Sequence, residues 1–229
     1  MPSNKTRFIE CCCTSYLDVI EARIGGAQRA ELCEDLSCGG VTPSKENILR
    51  SMKEGLLPIN VLIRPRAGDF VYNQQEREQI LESIDLCKEL GVNGVVVGAL
   101  TPSGEIDVEF TREMVQRARP LLVTFHRAFD ECSNPFRGLE DIISTGCERI
   151  LTSGQEPNAY LGKETLAKLV EQAGDRIIIM PGGGITADNI SDIAIATKAK
   201  EYHGSARSQA GRTDRDVVSK FVNNTPESL

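Results

Sequence analysis

Short runs of strand-forming residues recur along the chain, and more polar segments with a helical period separate them. There are eight such runs, at residues 7–12, 29–33, 59–65, 94–100, 121–127, 148–154, 176–184 and 201–207. Short apolar runs bounded by Gly, Pro or polar residues are typical of buried strands. The pattern therefore predicts eight strands.

The segments between these runs have the apolar spacing of helices. Residues 74–91 carry one apolar stripe that ends before Gly91, formed by Ile80, Ile84, Cys87 and Leu90. Gly just after the last stripe residue is a common helix stop. Polar residues that favour a helix N-terminus precede further segments, at Ser15, Ser44 and Thr186, and a last helix is expected over 214–222.

Strict alternation of strands and helices predicts an α/β protein with a parallel sheet closed as a TIM (β/α)₈ barrel, in a single domain over residues 1–229. An open doubly wound sheet is the alternative. However, the Gly-rich stretch "PGGG" follows the seventh run, whereas a dinucleotide-binding fingerprint follows the first strand. The barrel is therefore the better prediction.

Side chains along a barrel strand alternate between the interior and the helix layer, and active sites lie at the C-terminal strand ends. Because a carboxylate is costly to bury among helices, Glu10 and Glu31 are expected to face the interior. The same alternation brings Cys12 and Cys33 inward with them. On other strands it selects Arg64 with Arg66, Thr124 with His126, and Glu201 with His203.

Two inward thiols on adjacent strands suggest a metal site. Strands 8, 1 and 2 become neighbours when the barrel closes, so Cys12, Cys33 and His203 could line one side of its mouth. Neighbouring strands lie about 4.8 Å apart. Paired thiolates select Cu(I) or Zn(II), and a site with few other ligands favours Cu(I). The alternative is that each buried Cys is simply a small hydrophobic residue.

Other residues suggest an anion site at the same mouth. The backbone N–H groups of Gly182, Gly183 and Gly184, before a helix expected near Thr186, could hold a phosphate; the alternative is a tight turn that needs positive φ. Arg64 and Arg66 either bind a substrate anion or neutralise the interior glutamates, of which the second is the better interpretation.

A second functional hypothesis is therefore an enzyme that acts on a small anionic or phosphorylated substrate by acid/base chemistry. His126 would be the acid/base, Glu10 or Glu31 the partner carboxylate, and Arg127 an anion clamp beside Arg64. His126 could equally be a structural group that hydrogen-bonds within the fold.

Composition limits the partners. The net charge of −7 without a basic run argues against nucleic acid, and no apolar stretch is long enough for a membrane span. The eight cysteines include no C-x-x-C pair, and no export signal is visible. We expect a cytoplasmic protein with reduced thiols.

Several long motifs together resemble those of the CutC family, named for copper homeostasis, over nearly the whole chain: "IECCCTS", "AELCEDLSCGGVTPS", "VLIRPRAGDFVY", "VTFHRAFD", "IIIMPGGGIT" and "EYHGSAR". The resemblance implies a cytoplasmic (β/α)₈ barrel that is often a homo-oligomer. It also implies Cu(I) binding at cysteines of the first two strands, which match Cys12 and Cys33. The expected partner is a copper ion or a small anionic molecule.

Overall fold

Eight strands alternate with eight helices in the computed structural model, which describes residues 8–208 and 211–226. The strands are β1 (Phe8–Cys13), β2 (Arg29–Leu32), β3 (Ile59–Leu62), β4 (Gly94–Val97), β5 (Leu122–Phe125), β6 (Arg149–Thr152), β7 (Ile178–Pro181) and β8 (Glu201–Gly204). The helices are α1 (Tyr16–Ile24), α2 (Lys45–Gly55), α3 (Gln74–Leu90), α4 (Val108–Ala118), α5 (Pro135–Thr145), α6 (Lys163–Ala173), α7 (Ile190–Thr197) and α8 (Arg215–Asn224). Within those two ranges, no helix has the length and apolar character to cross a membrane.

The strands form one parallel sheet in the order β7-β6-β5-β4-β3-β2-β1-β8. β7 and β8 are neighbours, although no ladder joins their described residues, so the barrel is nearly closed. The predicted TIM barrel is confirmed. Register then fixes the interior: Glu10 lies opposite Arg29 on β2 and opposite His203 on β8, and Cys12 lies opposite Glu31.

The two-residue period of the strands separates the cysteines of "ECCCTS" as predicted. Cys11 and Cys13 pack with Ile9 in the apolar layer between the strands and the helices. Cys12 instead belongs to a small cluster inside the barrel, formed by Cys12, Cys33, Leu62 and Val96. Alternation of side chains across a strand explains why neighbouring thiols reach different surroundings.

The predicted helix ends agree with the structure except at one place. Ser15 and Ser44 cap α1 and α2 by accepting backbone N–H bonds, and α3 ends at Gly91, whose φ of 73° is left-handed. The start predicted near Thr186 is wrong, because α7 begins at Ile190. The preceding residues form a turn, in which the Asn189 side chain accepts a hydrogen bond from the Thr186 backbone N–H at 2.9 Å.

A charged network fills the barrel interior below the mouth. Arg29 hydrogen-bonds to Glu10 and, at 2.6 Å, to Glu201, which also accepts from Arg149 at 2.7 Å. Asn60 donates a further bond to Glu10 at 3.2 Å. Glu10 is fully buried, and a buried carboxylate is tolerated only when it is paired and hydrogen-bonded. The network therefore makes a charged interior compatible with folding.

Removal of Arg29 should be severely destabilising. Arg29→Met leaves two buried carboxylates without their shared cation, and we expect a loss of about 3–5 kcal/mol in the free energy of unfolding, measured by urea denaturation. The control is Arg215→Met, which breaks the exposed pair with Glu21 between α8 and α1 and should change stability little. Equal losses in the two variants would contradict this account of the interior.

Candidate metal and anion site at the barrel mouth

The loops that follow the strands enclose a cavity of about 680 Å³ at the C-terminal end of the barrel. Most of the sequence-predicted site residues line it: Cys12, Glu31, Cys33, Arg64, His126, Arg127, Gly183, Gly184 and His203. A cavity of this size is typical of small-molecule sites, and the mouth is where barrel enzymes place their chemistry.

One wall of the cavity holds a cluster of possible metal ligands. The sulfurs of Cys12 and Cys33 lie 3.7 Å apart, and both thiols are free. One ligand atom each from Cys12, Glu31 and His203 lies within 4.8 Å of the others. The structure thus places Cys12 beside each of the other two predicted ligands, Cys33 and His203, and adds Glu31, which the sequence suggested only as a catalytic carboxylate.

His203 lies between two carboxylates. Its Nδ1 is 2.9 Å from Oε1 of Glu10, and its Nε2 is 3.6 Å from Oε2 of Glu31. Burial by itself lowers the pKa of His203, but the charge of Glu31 and hydrogen bonds with Cys12 and Glu10 outweigh it and raise that pKa well above its ordinary value. The metal-free site therefore holds an imidazolium.

The same environment shifts the pKa values of Glu10, Glu31 and Cys12. Burial raises the pKa of Glu10, yet Arg29 and His203 reverse this and bring it to about 2. For Glu31, burial dominates and the pKa is raised. The hydrogen bond with Cys33, together with burial, raises the pKa of the Cys12 thiol well above its ordinary value. A metal ion that binds the two thiols and the imidazole must displace protons from Cys12, Cys33 and His203.

The expectation that Arg64 and Arg66 neutralise the interior glutamates is wrong. Arg29 takes this role for Glu10, and its place two residues before Glu31 on the same strand is a signal that the sequence carried. Arg66 bonds to Glu76 outside the cavity. Since β3 ends at Leu62, strand alternation no longer determines where the Arg66 side chain points.

Arg64 does line the cavity, but its guanidinium hydrogen-bonds to the backbone of the loops around it. One terminal nitrogen donates to the carbonyl oxygens of Cys38 and Gly40, both at 3.0 Å, and the other donates to that of Gly68 at 2.7 Å. Its guanidinium carbon lies 4.9 Å from the ring centre of Phe70. These bonds tie the loop after β2 to the loop after β3.

The glycines after β7 form a turn. The Gly182 N–H already donates to the Thr152 carbonyl at 2.9 Å, so it has no role in anion binding, and Gly182 is not among the cavity-lining residues. Gly183 and Gly184 have φ values of 90° and 68°, in the left-handed region that favours glycine. The tight-turn alternative therefore explains the motif, and only Gly183 and Gly184 face the mouth.

His126 follows β5 on the wall of the cavity. Its Nδ1 accepts the backbone N–H of Ala128 at 3.1 Å. Burial, with a smaller contribution from the charge of Arg64, lowers the pKa of His126 to about 3. The ring is therefore neutral at physiological pH, and the geometry does not support the predicted acid/base role. The neighbouring Arg127 bonds to Asp130 at 2.7 Å and to Ser153 at 3.0 Å.

Comparison with known proteins agrees with this fold and these motifs. The sequence model of the CutC family matches residues 7–208. The chain belongs to the CutC family. The CutC family protein of Parabacteroides distasonis is 50% identical over 88% of this chain and 84% of its own length. That of Xylella fastidiosa is 46% identical over 87% of this chain and 75% of its own length.

The similar solved structures include a member of the same family and more distant proteins with the same fold. CutC of Streptococcus agalactiae, which is named for copper homeostasis, superposes with a TM-score of 0.82 at 33% identity, covering 87% of this chain and 98% of that protein. Phosphoribosylanthranilate isomerase of Thermotoga maritima superposes with a TM-score of 0.63 at 18% identity, covering 96% and 98% of the two chains. The second likeness shows the barrel fold alone.

The neutral His126 should make the protein sensitive to acid. An unfolded His has a pKa near 6.5, whereas the folded value is about 3, so the stability that depends on neutral His126 is complete above about pH 6.5 and is lost as pH falls towards 3. His126→Asn keeps an acceptor for the Ala128 N–H but has no imidazole to protonate. Between pH 7 and pH 5, the wild type should lose up to about 1.4 kcal/mol per pH unit relative to the variant.

Urea denaturation at a series of pH values measures this difference, and the other titrating groups cancel in the comparison. Between pH 7 and pH 8.5 the two stability curves should run parallel. Parallel curves below pH 6 as well would show that His126 titrates normally in the folded protein.

Proposed function

We propose that this CutC protein binds Cu(I) at the barrel mouth through the thiolates of Cys12 and Cys33, with His203 as a third ligand. The observation that carries the proposal is the 3.7 Å separation of the two sulfurs, together with a ring nitrogen of His203 within 4.8 Å of the Cys12 sulfur. The similarity to the Streptococcus agalactiae protein, which is named for copper homeostasis, supports a role in copper homeostasis.

The donor atoms fit a soft metal ion. Two thiolates and an imidazole favour Cu(I) or Zn(II) over hard cations such as Mg²⁺ and Ca²⁺. Metal–sulfur bonds are about 2.3 Å long, so one ion can contact two sulfurs that lie no more than about 4.6 Å apart. The observed 3.7 Å is within that limit, so both thiols could hold the same ion.

Metal binding replaces protons in this cluster. In the metal-free site His203 lies between the carboxylates of Glu10 and Glu31. Ligation by two thiolates and a neutral imidazole removes protons from Cys12, Cys33 and His203, and the positive charge of the ion partly replaces them. Binding should therefore release protons and weaken in acid.

The proposed ligands are deeply buried, which should help the protein to retain a bound ion. Cys33 is 1% exposed and Cys12 is 6% exposed, so an ion reaches them only through the mouth. A ligand set on rigid strands inside a barrel holds its ion in a fixed geometry but offers little surface for direct exchange with another protein. We therefore expect slow release of bound copper.

The cysteines should differ in copper binding according to the face that they occupy. In anaerobic Cu(I) titrations with a competing chelator, Cys12→Ser or Cys33→Ser should abolish tight stoichiometric binding, because a neutral hydroxyl is a poor ligand for a soft ion. Cys11→Ser and Cys13→Ser should retain it and lose on the order of 1 kcal/mol of stability, since each places a hydroxyl in the apolar layer. Equal copper loss in all four variants would exclude a discrete site at Cys12 and Cys33.

Glu31 provides a test of which metal the site prefers. A carboxylate is a good ligand for Zn(II) but a poor one for Cu(I). Glu31→Gln should therefore change the Cu(I) affinity less than tenfold, while His203→Gln weakens it more strongly. If Glu31→Gln reduced Cu(I) and Zn(II) affinities alike and the wild type preferred Zn(II), the assignment of Cu(I) would be wrong.

A further inference from the structure

Arginines outnumber carboxylates at the mouth, although the chain as a whole is acidic. The chain has a net charge of −7, yet three arginines and one carboxylate, Glu31, line the cavity. The arginines are Arg64, Arg127 and Arg207. A concave surface rich in arginine raises the local concentration of anions. A copper cation explains neither these arginines nor a volume of about 680 Å³.

His126 presents a hydrogen-bond donor that the folded chain does not use. Because its Nδ1 accepts the Ala128 N–H, the proton of the neutral ring is on Nε2. A Cβ at Gly98 would lie 2.5 Å from Nδ1, so that edge of the ring is packed against backbone. Nε2 is buried, and within the described ranges no protein atom accepts its hydrogen bond. Such a donor is costly to leave unpaired.

Arg64 presents a second unused donor in the same wall. Its two terminal nitrogens bond to backbone carbonyls, but its buried Nε has no partner among the described residues. The aromatic ring of Phe70 contacts both side chains, with its centre 5.0 Å from that of the His126 ring and 4.9 Å from the Arg64 guanidinium carbon. Two buried, unpaired N–H donors therefore lie beside one aromatic ring.

Apolar side chains also line the cavity. Besides Phe70, the cavity is lined by Leu36, Leu62, Leu151 and Ile185. Pockets for small molecules typically combine such surfaces with a few polar groups that fix the orientation of the ligand. The wall therefore matches a molecule with an anionic end and an apolar body.

We propose that the mouth binds a small organic anion whose carboxylate or phosphate oxygens accept hydrogen bonds from Nε2 of His126 and Nε of Arg64, with its apolar body against Phe70 and the neighbouring leucines. In this assignment His126 is a neutral donor and moves no proton. The site lies beside Cys12 but does not depend on it, so it stands independently of copper binding.

Isothermal titration of the chelator-treated, metal-free protein tests the proposal with four probes: phenyl phosphate, benzoate, inorganic phosphate and benzyl alcohol. Phenyl phosphate or benzoate should bind one to one, at least tenfold more tightly than neutral benzyl alcohol. The tighter of the two identifies the anionic group. Inorganic phosphate should bind more weakly than phenyl phosphate, because it lacks the apolar body. Binding of benzyl alcohol as tight as that of both aromatic anions would overturn the proposal.

His126→Asn is the decisive variant, because asparagine can still accept the Ala128 N–H as an N-cap residue but has no donor at the Nε2 position. The affinity for the bound anion should fall roughly 10- to 100-fold, the range expected for a hydrogen bond to a charged group. Arg64→Gln should also weaken binding, whereas Arg66→Gln, on the same loop but outside the cavity, should not. Unchanged affinity in His126→Asn would overturn the proposal.

Nitrogen-detected NMR of the His126 ring distinguishes contact with the ligand from a purely structural role. The Nε2–H tautomer should persist from pH 5 to pH 8, and the Nε2 signal should shift when phenyl phosphate or benzoate is added. His126→Asn should weaken anion binding but retain Cu(I) binding, because His126 is not a proposed copper ligand, so that failure of one site is distinguishable from failure of the other. A ring that is unaffected by both anions would show that His126 does not contact the ligand.

Discussion

The fully buried carboxylate of Glu10 is the constraint on which the rest of the barrel interior depends. Such a group requires compensating partners from every side, and β2, β3 and β8 each supply one: Arg29, Asn60 and His203. Each partner is in turn held by further bonds, as Arg29 is by Glu201. The interior is consequently a connected polar network, in which loss of one member leaves others buried and unpaired.

This network connects the stability of the barrel to the chemistry of its mouth. His203 contacts Glu10 on the side of the network and lies near Cys12 and Glu31 on the side of the cavity. Glu10 and His203 therefore stabilise each other's charged form: the carboxylate helps to raise the pKa of His203, and His203 helps to lower the pKa of Glu10. A metal ion that takes the place of the His203 proton must satisfy both the ligands above it and the carboxylate below it.

The mouth combines two kinds of wall that favour different ligands. Thiols, an imidazole and a carboxylate lie together on the side formed by β8, β1 and β2, whereas arginines, a neutral histidine and apolar side chains line the remainder. The first wall has the donors of a soft metal site, and the second has the donors of an anion site. Because Cys12 and Cys33 line the same cavity, an anion bound there would lie near the proposed copper ligands.

The sequence by itself determined the barrel and the direction of the thiols, because both depend on short-range periodicity. Alternating runs predict alternating elements, and the period of two places Cys12 inside the barrel and Cys11 outside it. Only the tertiary structure decided the partners, because these depend on register between strands and on loop conformation. The strand register places Arg29 opposite Glu10. Because β3 ends at Leu62, strand alternation does not bring Arg66 into the mouth. The Gly182 N–H, which could have contacted a phosphate, donates to the Thr152 carbonyl instead, and the conformation of the loop after β5 brings the Ala128 N–H to Nδ1 of His126 and so determines its tautomer.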